Sequence, residues 1–343
     1  MNTFGTIFRV SIFGESHGEE IGVVIDGVEP GIELCPEDFR ADIARRRSGA
    51  KGTTPRVEAD EPLILSGVFE GHTTGAPLAI VFRNTHTRSQ DYDRLKDVPR
   101  PGHADFTANV KYGGLQDPRG GGHFSGRLTL PIVAAGVVAK KILSETVAEE
   151  TNGHVQFTCR ARLTEIGGIA DASRWEAVLD EAQREGDSLG GVVECLVDGI
   201  PAGLGEPFWD SVESLLSHAL FAIPGVRGVE FGDGFAAARM KGSEHNDCFT
   251  AEGIDGHEGI VTPVTNHAGG VNGGITNGNP LFFRVAFKPT SSIAKSQRTY
   301  DFAKGEMTDL QVPGRHDTCF ALRTPVIVEA MAAIALADLI DRG

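Results

Sequence analysis

The chain has 343 residues, which is enough for one large domain or two smaller ones with a full hydrophobic core. Its formal net charge of −15 argues against nucleic acid as a main partner, because a phosphate backbone would be repelled. The five cysteines are scattered and form no CxxC pair, so the sequence predicts neither a metal site nor a disulfide framework. The N-terminal residues lack the apolar core of a signal peptide and no apolar run reaches membrane-spanning length, so we expect a cytoplasmic protein without a membrane partner.

The pattern of apolar, aromatic and β-branched residues predicts strands and helices along the whole chain. The predicted strands are residues 6–13, 21–28, 63–68, 78–83, 155–163, 192–197 and 281–287. The predicted helices are residues 36–47, 128–143, 173–185, 210–221 and 325–340. Ser173 is the expected N-cap of one helix, and Asp210 with Glu213 forms the capping-box pattern of the next. This mixture of elements indicates an α+β fold.

The second half of the chain repeats motifs of the first half in the same order. The segment GESHG at 14–18 resembles GDSLG at 186–190, and IDG at 25–27 resembles VDG at 197–199, both at an offset of 172 residues. Three further matches have slightly different offsets. Residues 67–78 resemble residues 270–281, residues 101–105 resemble residues 313–317, and Arg127 resembles Arg323. We therefore predict one domain with an internal duplication, about residues 1–150 and 151–343, whose two α+β halves meet around a pseudo-twofold axis at a shared cleft.

A loop rich in glycine and arginine lies between residues 100 and 127, before a predicted apolar helix. Its three consecutive glycines, Gly120–Gly122, disfavour a helix or strand but allow backbone N–H groups to approach an anion closely. Arg119 and Arg127 flank them and offer planar, permanently charged donors for phosphate or carboxylate. An anion-binding loop at a helix entrance is the favoured interpretation, and a solvated surface loop is the alternative.

Two histidines lie in positions suited to proton transfer near neutral pH. His17 follows Ser16 directly after a predicted strand, and His103 lies two residues before Asp105, a carboxylate that could orient its imidazole. Each could also be an ordinary loop histidine that is satisfied by the backbone or by solvent. The resemblance between residues 101–105 and 313–317 favours a functional role for the residues of both segments.

Two further groups of polar residues have both a functional and a structural interpretation. The segment KPTSS at 288–292 follows a predicted strand and combines a lysine with three hydroxyl groups that could grip a phosphate, or it could be a polar strand exit. Arg45–Arg47 end a predicted helix, where cations also complement the helix C-terminus, and at most one or two of them can face one ligand. No P-loop or Rossmann fingerprint is present, and Ser16 and His17 leave a serine hydrolase as a competing hypothesis.

Taken together, these motifs resemble those of the chorismate synthase family across nearly the whole chain. The resemblance rests on GESHG at 14–18, SQDY at 89–92, RPGHAD at 100–105, RGGG at 119–122, GVEFG at 228–232, NHAGG at 266–270, KPTSS at 288–292 and GRHD at 314–317. It implies a β-α-β sandwich of two pseudo-twofold-related halves, assembled as a homotetramer. It also implies the last step of the shikimate pathway, in aromatic amino-acid biosynthesis. In that step a carbon–oxygen lyase converts 5-enolpyruvylshikimate 3-phosphate (EPSP) to chorismate and phosphate by 1,4-anti elimination, with reduced FMN and no net redox change.

The resemblance also implies roles for individual residues. His17 would assist phosphate departure, His103 would serve the flavin near N1 and C2=O, and Asp317 would act with flavin N5 in removing the C6 proton. Ser16 and Ser125 would support this proton relay. The phosphate and carboxylates of the substrate would bind to Arg46, Arg47, Arg100, Arg127 and Arg315. The flavin would contact His123, Phe124, Ser125, Pro224, Gly225, Gly273, Lys288, Pro289, Thr290, Ser291, Ser292 and Arg315.

The sequence departs from the family pattern in a few places. The family usually has Arg-Ser-Ser-Ala-Arg after the triple glycine, whereas this chain has HFSGR at 123–127, which changes the expected flavin contacts. Thr318 replaces a usual proline, and Val57 lies at a usually basic position. A non-catalytic flavin- or phosphate-binding protein on the same fold is therefore the alternative to the enzyme. No dinucleotide fingerprint is visible, which favours an outside reductant over reduction of the flavin by this protein with NADPH.

Overall fold

The computed structural model describes residues 2–54, 58–85, 95–249, 263–312 and 316–340, and it has the α+β architecture that the sequence predicts. The strands are β1 (Thr3–Phe4), β2 (Arg9–Gly14), β3 (Glu20–Asp26), β4 (Leu63–Ser66), β5 (Val68–Phe69), β6 (His72–Thr73), β7 (Leu78–Arg83), β8 (Thr158–Ile166), β9 (Gly191–Asp198), β10 (Val226–Phe231), β11 (Val271–Asn272), β12 (Ile275–Thr276), β13 (Leu281–Phe287), β14 (Gln297–Asp301) and β15 (Glu306–Leu310). The α-helices are α1 (Arg40–Arg46), α2 (Asp105–Tyr112), α3 (Thr129–Glu150), α4 (Trp175–Glu185), α5 (Val212–Phe221), α6 (Gly242–His245) and α7 (Pro325–Ile340). Short 3-10 helices lie at Pro36–Phe39, Arg119–Phe124, Gly126–Leu128, Ala172–Arg174, Phe208–Asp210, Gly234–Arg239 and Phe320–Arg323.

Two antiparallel sheets form the outer layers of a sandwich, and two long helices fill the space between them. The first sheet has the strand order β1-β2-β3-β7-β4, and the second has the order β8-β9-β13-β10. Helix α3 packs against β3 and β7, helix α7 packs against β8 and β9, and the two helices pack on each other. The layers therefore follow the order sheet, helix, helix, sheet, which agrees with the expected sandwich.

The residue patterns explain this arrangement. Along β13, Leu281, Phe283, Val285 and Phe287 are buried while the residues between them are only partly buried, so one face of the strand lies on the core. Helix α7 and residues 129–139 of α3 are buried on every side, and a helical segment of this kind is stable only when other elements cover it. This need for cover explains why both helices lie between the two sheets.

The central helices cross closely where both carry small residues. A Cβ at Gly136 of α3 would lie 2.3 Å from the Cβ of Ala330 of α7, so glycine is needed there for the close approach. The neighbouring Glu329 is buried and accepts two 2.7 Å hydrogen bonds from Arg45 and one of 3.0 Å from Lys140. Burial would raise the pKa of Glu329, but these cations hold that pKa below its ordinary value. The ion cluster thereby ties α1 to the central helices.

The two sheets repeat one connectivity. The strands β2-β3-β7-β4 are neighbours in the first sheet in the same way as β8-β9-β13-β10 in the second. In each half a helix, α1 or α5, precedes the fourth strand of this series, and a long helix, α3 or α7, follows the third. A short hairpin, whose two strands have two residues each, precedes that third strand. It is β5–β6 in the first half and β11–β12 in the second. This repetition supports the proposed internal duplication.

Two threonines make the same hydrogen bonds in the two halves. Thr73 Oγ1 donates to the carbonyl oxygen of Glu29 and accepts from the backbone N–H of Ile32 at 3.0 Å. Thr276 Oγ1 donates to the carbonyl oxygen of Pro201 at 2.7 Å and accepts from the backbone N–H of Leu204 at 2.9 Å. The repeated bonds fix equivalent turns, so the resemblance of the two sequences extends to their local geometry.

Two helix starts differ from the prediction. Asp171, not Ser173, caps the segment before α4, since its carboxylate accepts the backbone N–H of Ser173 at 3.0 Å. Ser211, not Asp210, caps α5, because Ser211 has an extended backbone and its hydroxyl accepts the backbone N–H of Ser214 at 3.1 Å. Several cap-forming residues stand side by side in both places, and the backbone conformation decides between them. The helix predicted at 128–143 continues to Glu150, and that at 36–47 begins as a 3-10 turn.

Candidate active site

A cavity of about 910 Å³ is lined by residues of both halves of the chain. This volume is at the upper end of the range for small-molecule sites. Among its described lining residues, seven are arginine or lysine and three are aspartate or glutamate, although the whole chain has a net charge of −15. The local excess of positive charge makes the cavity suited to anionic ligands.

The triple glycine separates the two predicted proton-transfer histidines. A Cβ at Gly120, where φ is 61°, would lie 2.6 Å from Nε2 of His17, and a Cβ at Gly121 would lie 3.6 Å from Nε2 of His103. Any side chain at Gly120 would displace the His17 ring. The run of glycines is therefore explained by the close approach of two imidazoles as well as by its left-handed backbone.

His103 belongs to a hydrogen-bonded group with Asp105 and Arg100. Its Nδ1 lies 2.6 Å from Asp105 Oδ1, so the proton on Nδ1 is held by the carboxylate and Nε2 is the nitrogen that exchanges a proton. Burial, with smaller contributions from Arg100 and Lys288, lowers the pKa of His103 despite the opposing effect of Asp105. Burial acts to raise the pKa of Asp105, but hydrogen bonds from Arg100 and His103 hold it well below its usual range.

All three guanidinium nitrogens of Arg100 donate hydrogen bonds to protein groups. Its Nε and Nη2 each donate to the Asp105 carboxylate at 2.7 Å, and its Nη1 donates to Ser292 Oγ at 2.8 Å. A buried guanidinium with this set of partners is held in one orientation. Arg100 consequently links His103 to the KPTSS segment of the other half.

His17 and Ser16 lie at the end of β2. Both are buried, and the backbone N–H of Ser16 donates to the carbonyl oxygen of Gly122 at 3.1 Å, which joins the strand end to the glycine turn. Ser16 lines the cavity, whereas His17 is not among the lining residues that the structure describes. Ser125, also lining the cavity, accepts the backbone N–H of Arg127 at 3.3 Å and so caps the short turn before α3.

Arg46 and Arg127 form the most deeply buried cationic part of the cavity. Arg46 donates from Nε to Thr129 Oγ1 and from Nη2 to the carbonyl oxygen of Gly126, each at 3.0 Å. Arg127 contacts the buried carboxylate of Asp60, from which Arg46 Nη1 is 3.6 Å away. Burial and the neighbouring guanidinium of Arg323 lower the pKa of Arg46, and Asp60 opposes them. One carboxylate thus serves two guanidiniums and leaves a net positive charge.

Asp317 is held from both halves of the chain. Its Oδ1 accepts the backbone N–H of Thr54 at 2.8 Å, and its Oδ2 accepts Nη2 of Arg323 at 2.8 Å. Asp317 and Arg323 both line the cavity, and Asp317 is 9% exposed. The carboxylate is therefore oriented at the cavity wall with little freedom to rotate.

The KPTSS segment lines the cavity along its full length. Lys288 Nζ donates to Ser291 Oγ at 2.6 Å, Ser291 Oγ donates to the carbonyl oxygen of Gly102 at 2.8 Å, and the backbone N–H of Lys288 donates to the carbonyl oxygen of Gly225 at 2.9 Å. Burial and the nearby Arg227 lower the pKa of Lys288. The hydroxyl of Thr290 is buried without a hydrogen-bond partner among the described residues. A phosphate or another acceptor would satisfy these groups.

The sequence that departs from the family pattern also reaches the cavity. His123 Nδ1 donates to the carbonyl oxygen of Gly14 at 2.8 Å, and its Nε2 lies 3.2 Å from Asn2 Oδ1. Phe124 is 38% exposed, and its ring centre lies 6.3 Å from that of Tyr112. His123 therefore fixes the N-terminal segment beside the cavity, and Phe124 adds an apolar wall.

The structure does not bring every predicted residue to the cavity. Gly273 lies at the turn between β11 and β12 and, like Arg119, is not among the described lining residues. Arg119 pairs instead with Asp117 at 2.8 Å, so this arginine is not an anion ligand of the cavity here. Arg47 lines the cavity, whereas Arg45 turns to Glu329. Arg315, Val57 and the motif at 89–92 lie outside the described residues.

Sequence reasoning did not assign a role to several residues that line the cavity. Three of them, Asp60, Thr54 and Arg227, belong to no recognisable motif, so their place in the cavity could not be predicted from the sequence. Arg323 is different, because its resemblance to Arg127 had already marked it. Phe320, whose ring lies 5.0 Å from the Arg323 guanidinium, could be found only from the structure.

Comparisons with known proteins agree over almost the full chain. A model of the chorismate synthase family matches residues 8–340. A chorismate synthase from Chitinophaga pinensis is 58% identical over 98% of this chain and 96% of its own length, and one from Dehalococcoides mccartyi is 44% identical over 100% and 97%. A crystal structure of a chorismate synthase superposes with a TM-score of 0.72 at 26% identity, covering 99% of this chain and 93% of the other. None of these matches supports the serine hydrolase alternative. The chain belongs to the chorismate synthase family, a family of enzymes with a small-molecule substrate.

Proposed function

We propose that this protein converts EPSP to chorismate and phosphate by a 1,4-anti elimination, as a carbon–oxygen lyase that requires reduced FMN. The observation that supports the proposal most is one cationic cavity in which His103, from the first half, and Asp317, from the second, are both held by charged partners. Acid–base groups fixed around an anion-binding space suit the loss of a phosphate and a proton from one substrate.

The charge of the cavity fits the proposed substrate. EPSP has a phosphate and two carboxylates, which carry about four negative charges at neutral pH. Arg46 and Arg127 share a single carboxylate, Asp60, so they retain capacity for an anion, and Arg47 lines the same space. We assign substrate binding to these arginines, together with Arg315. The charge of Arg100 is paired with its own carboxylate, that of Asp105, so we assign Arg100 the orientation of His103.

The proton transfers are divided between three residues. His17, beside the glycine turn, would give a proton to the departing phosphate, with Ser16 next to it. Asp317, with both oxygens hydrogen-bonded, would accept the C6 proton in a fixed orientation. His103, whose lowered pKa keeps its Nε2 largely unprotonated at neutral pH, would exchange a proton with the cofactor, and Ser125 would support it.

The residues of the cavity fit FMN. The hydroxyl of Thr290, which has no partner among the residues that the structure describes, and the ammonium of Lys288 suit a phosphate or ring oxygen. Pro224 and Gly225 offer a wall with room beside it, since a Cβ at Gly225 would meet nothing closer than 3.9 Å. We assign cofactor binding to these residues, with Ser291, Ser292, Pro289, His123 and Phe124. When bound, reduced FMN would supply electron density that eases phosphate departure from the allylic system. The protein would hold it in place and exclude water.

An anaerobic turnover assay tests the proposal. Purified protein is mixed with EPSP and dithionite-reduced FMN, and chorismate absorbance is followed beside a control with oxidised FMN. Chorismate should form only with reduced flavin, and His17→Ala and Asp317→Ala should lose most of the activity. Tight FMN binding without any chorismate would instead favour a non-catalytic flavin-binding protein, for which the altered segment at 123–126 would be responsible.

We also propose a homotetramer in the cytoplasm. Phe208 and Trp209 are 84% and 89% exposed in the single chain, and adjacent apolar side chains of this size are typical of surfaces that another subunit covers. Light scattering on the purified protein should give four times the chain mass of 36.5 kDa. A monomer at micromolar concentration would contradict the tetramer. Among the described residues no helix combines the length and the apolar character that membrane crossing requires.

A further inference from the structure

Arg323 stands out among the cavity residues because neither the resemblance nor the proposed reaction gives it a role. Its guanidinium donates from Nη2 to Asp317 Oδ2 at 2.8 Å and lies 5.0 Å from the ring centre of Phe320. Its side chain is 12% exposed and lines the cavity. A largely buried guanidinium that lies over an aromatic ring has few orientations, so it fixes the carboxylate that it contacts.

The internal repetition gives Arg323 a counterpart. Arg127 stands before α3 and pairs with the buried Asp60, and Arg323 stands before α7 and pairs with Asp317. In both halves an arginine at the entrance of a central helix holds a carboxylate at the cavity wall. The two pairs differ in one respect, since Asp60 is shared with Arg46 whereas the carboxylate of Asp317 is completed by the backbone N–H of Thr54.

One hydrogen-bond donor of Arg323 has no acceptor among the residues that the structure describes. Its Nε–H is buried and has no hydrogen-bond acceptor within the part of the chain that the structure describes. A purely structural arginine would be expected to use this donor, because a buried unpaired N–H is costly. The spare donor indicates that the side chain is arranged for the cavity and its ligands rather than for the stability of the free protein.

We infer that Arg323 is a positioning residue for the elimination: it holds the Asp317 carboxylate in the orientation in which that carboxylate removes the C6 proton. This inference rests on the proposed function. In the elimination, the C6–H bond breaks and its electron pair forms a C1=C6 double bond, the former C1=C2 pair becomes the C2=C3 double bond as the C3–O bond to phosphate breaks, and the proton goes to an Asp317 oxygen. Arg323 neither gains nor loses a proton.

Arg323→Met and Arg323→Lys test the inference, with Arg162→Met as a matched control. Arg162 forms a comparable 2.7 Å pair with Glu194, but it lies on the surface with its side chain 74% exposed. Each variant is assayed anaerobically with reduced FMN and EPSP, and with EPSP carrying deuterium at the C6 position from which the proton is removed. Thermal unfolding of each protein is measured in parallel.

For Arg323→Met we expect kcat to fall on the order of 100-fold, because a misplaced base loses alignment with the C–H bond. KM should change less than about 3-fold, and the kinetic isotope effect should rise as proton removal becomes rate-limiting. Arg323→Lys should recover part of kcat, and the Arg162 variant should match the wild type. Combining Arg323→Met with Asp317→Asn should add little to the loss from Asp317→Asn alone.

Three results would overturn the inference. A large rise in KM with unchanged kcat would make Arg323 a substrate ligand. Wild-type kinetics and isotope effect in folded Arg323→Met, or in Arg323→Lys if the methionine variant fails to fold, would leave it without a positioning role. A wild-type protein that forms no chorismate would refute the proposed function itself and the inference with it. The wild-type assay therefore tests the proposed function, and the Arg323 variants test the inference.

Discussion

Substitution of Gly120 by alanine tests the packing of the glycine turn against His17. Gly120 has a φ of 61°, and a Cβ there would lie 2.6 Å from both Nε2 and Cδ2 of His17 and 2.9 Å from Ser16 Oγ. Ordinary van der Waals contact begins at 3.4 Å, so restoring it requires the imidazole to retreat by about 0.8 Å. His17 is 7% exposed, and a close-packed environment resists such a shift.

The expected loss of turnover is on the order of 100-fold, because a displacement of about 1 Å at a reacting group costs roughly that factor. Alanine in the left-handed region adds a stability cost of about 1–2 kcal/mol. Gly113→Ala is the matched control, since Gly113 has a φ of 62° and a Cβ there would meet nothing within 4 Å. Both variants should therefore lose stability, the Gly120 variant somewhat more because of the clash, and only the Gly120 variant should lose activity.

The assay is anaerobic chorismate formation with reduced FMN, together with urea denaturation of both variants. Equal activity in Gly120→Ala and Gly113→Ala would refute the reasoning, since the clash with His17 would then have no consequence. A Gly120 variant that loses far more stability than the control would show that the turn is structural rather than a support for the histidine.

Three further predictions concern stability and are measured by urea denaturation. Asp105→Asn should cost about 3 kcal/mol at pH 7 by leaving a buried arginine unpaired. Because hydrogen bonds hold the pKa of Asp105 below its ordinary value, its contribution is present above about pH 4 and is lost as the pH falls, so a pH-independent difference from the wild type would contradict this account. Gly136→Ala should cost about 1–3 kcal/mol because its Cβ would lie 2.3 Å from that of Ala330, and a stabilised variant would show that helix propensity outweighs the crossing. Thr73→Val and Thr276→Val should each cost about 1–3 kcal/mol, and clearly unequal losses would contradict the equivalence of the two turns.

Much of the fold could be predicted from the sequence because its signals are local. The sequence predicted a strand at 281–287 and an apolar helix at 325–340, and β13 and α7 have these bounds in the structure. The offset of 172 residues also predicted equivalent halves, and the repeated strand order supports it. Caps were less predictable, because neighbouring residues such as Asp210 and Ser211 are both able to cap and the backbone conformation chooses one.

The candidate site could be predicted only in part. Residues within motifs, such as His103 and Lys288, line the cavity as expected. Asp60 could not be predicted, since a lone aspartate carries no signal until the fold places it between Arg46 and Arg127. The interpretation of Arg119 as an anion ligand was not supported, because Asp117 two residues earlier engages it, a local competition that the loop composition does not reveal.

A crystal structure of the protein with EPSP and oxidised FMN, in which turnover cannot proceed, tests the central claim most directly. We predict that both ligands occupy the cavity of about 910 Å³, with a substrate anion at Arg46 and Arg127 and the flavin against Lys288–Ser292. Asp317 should face the substrate while it keeps its hydrogen bond to Arg323. Electron density for either ligand at another surface, with this cavity filled only by solvent, would contradict the account.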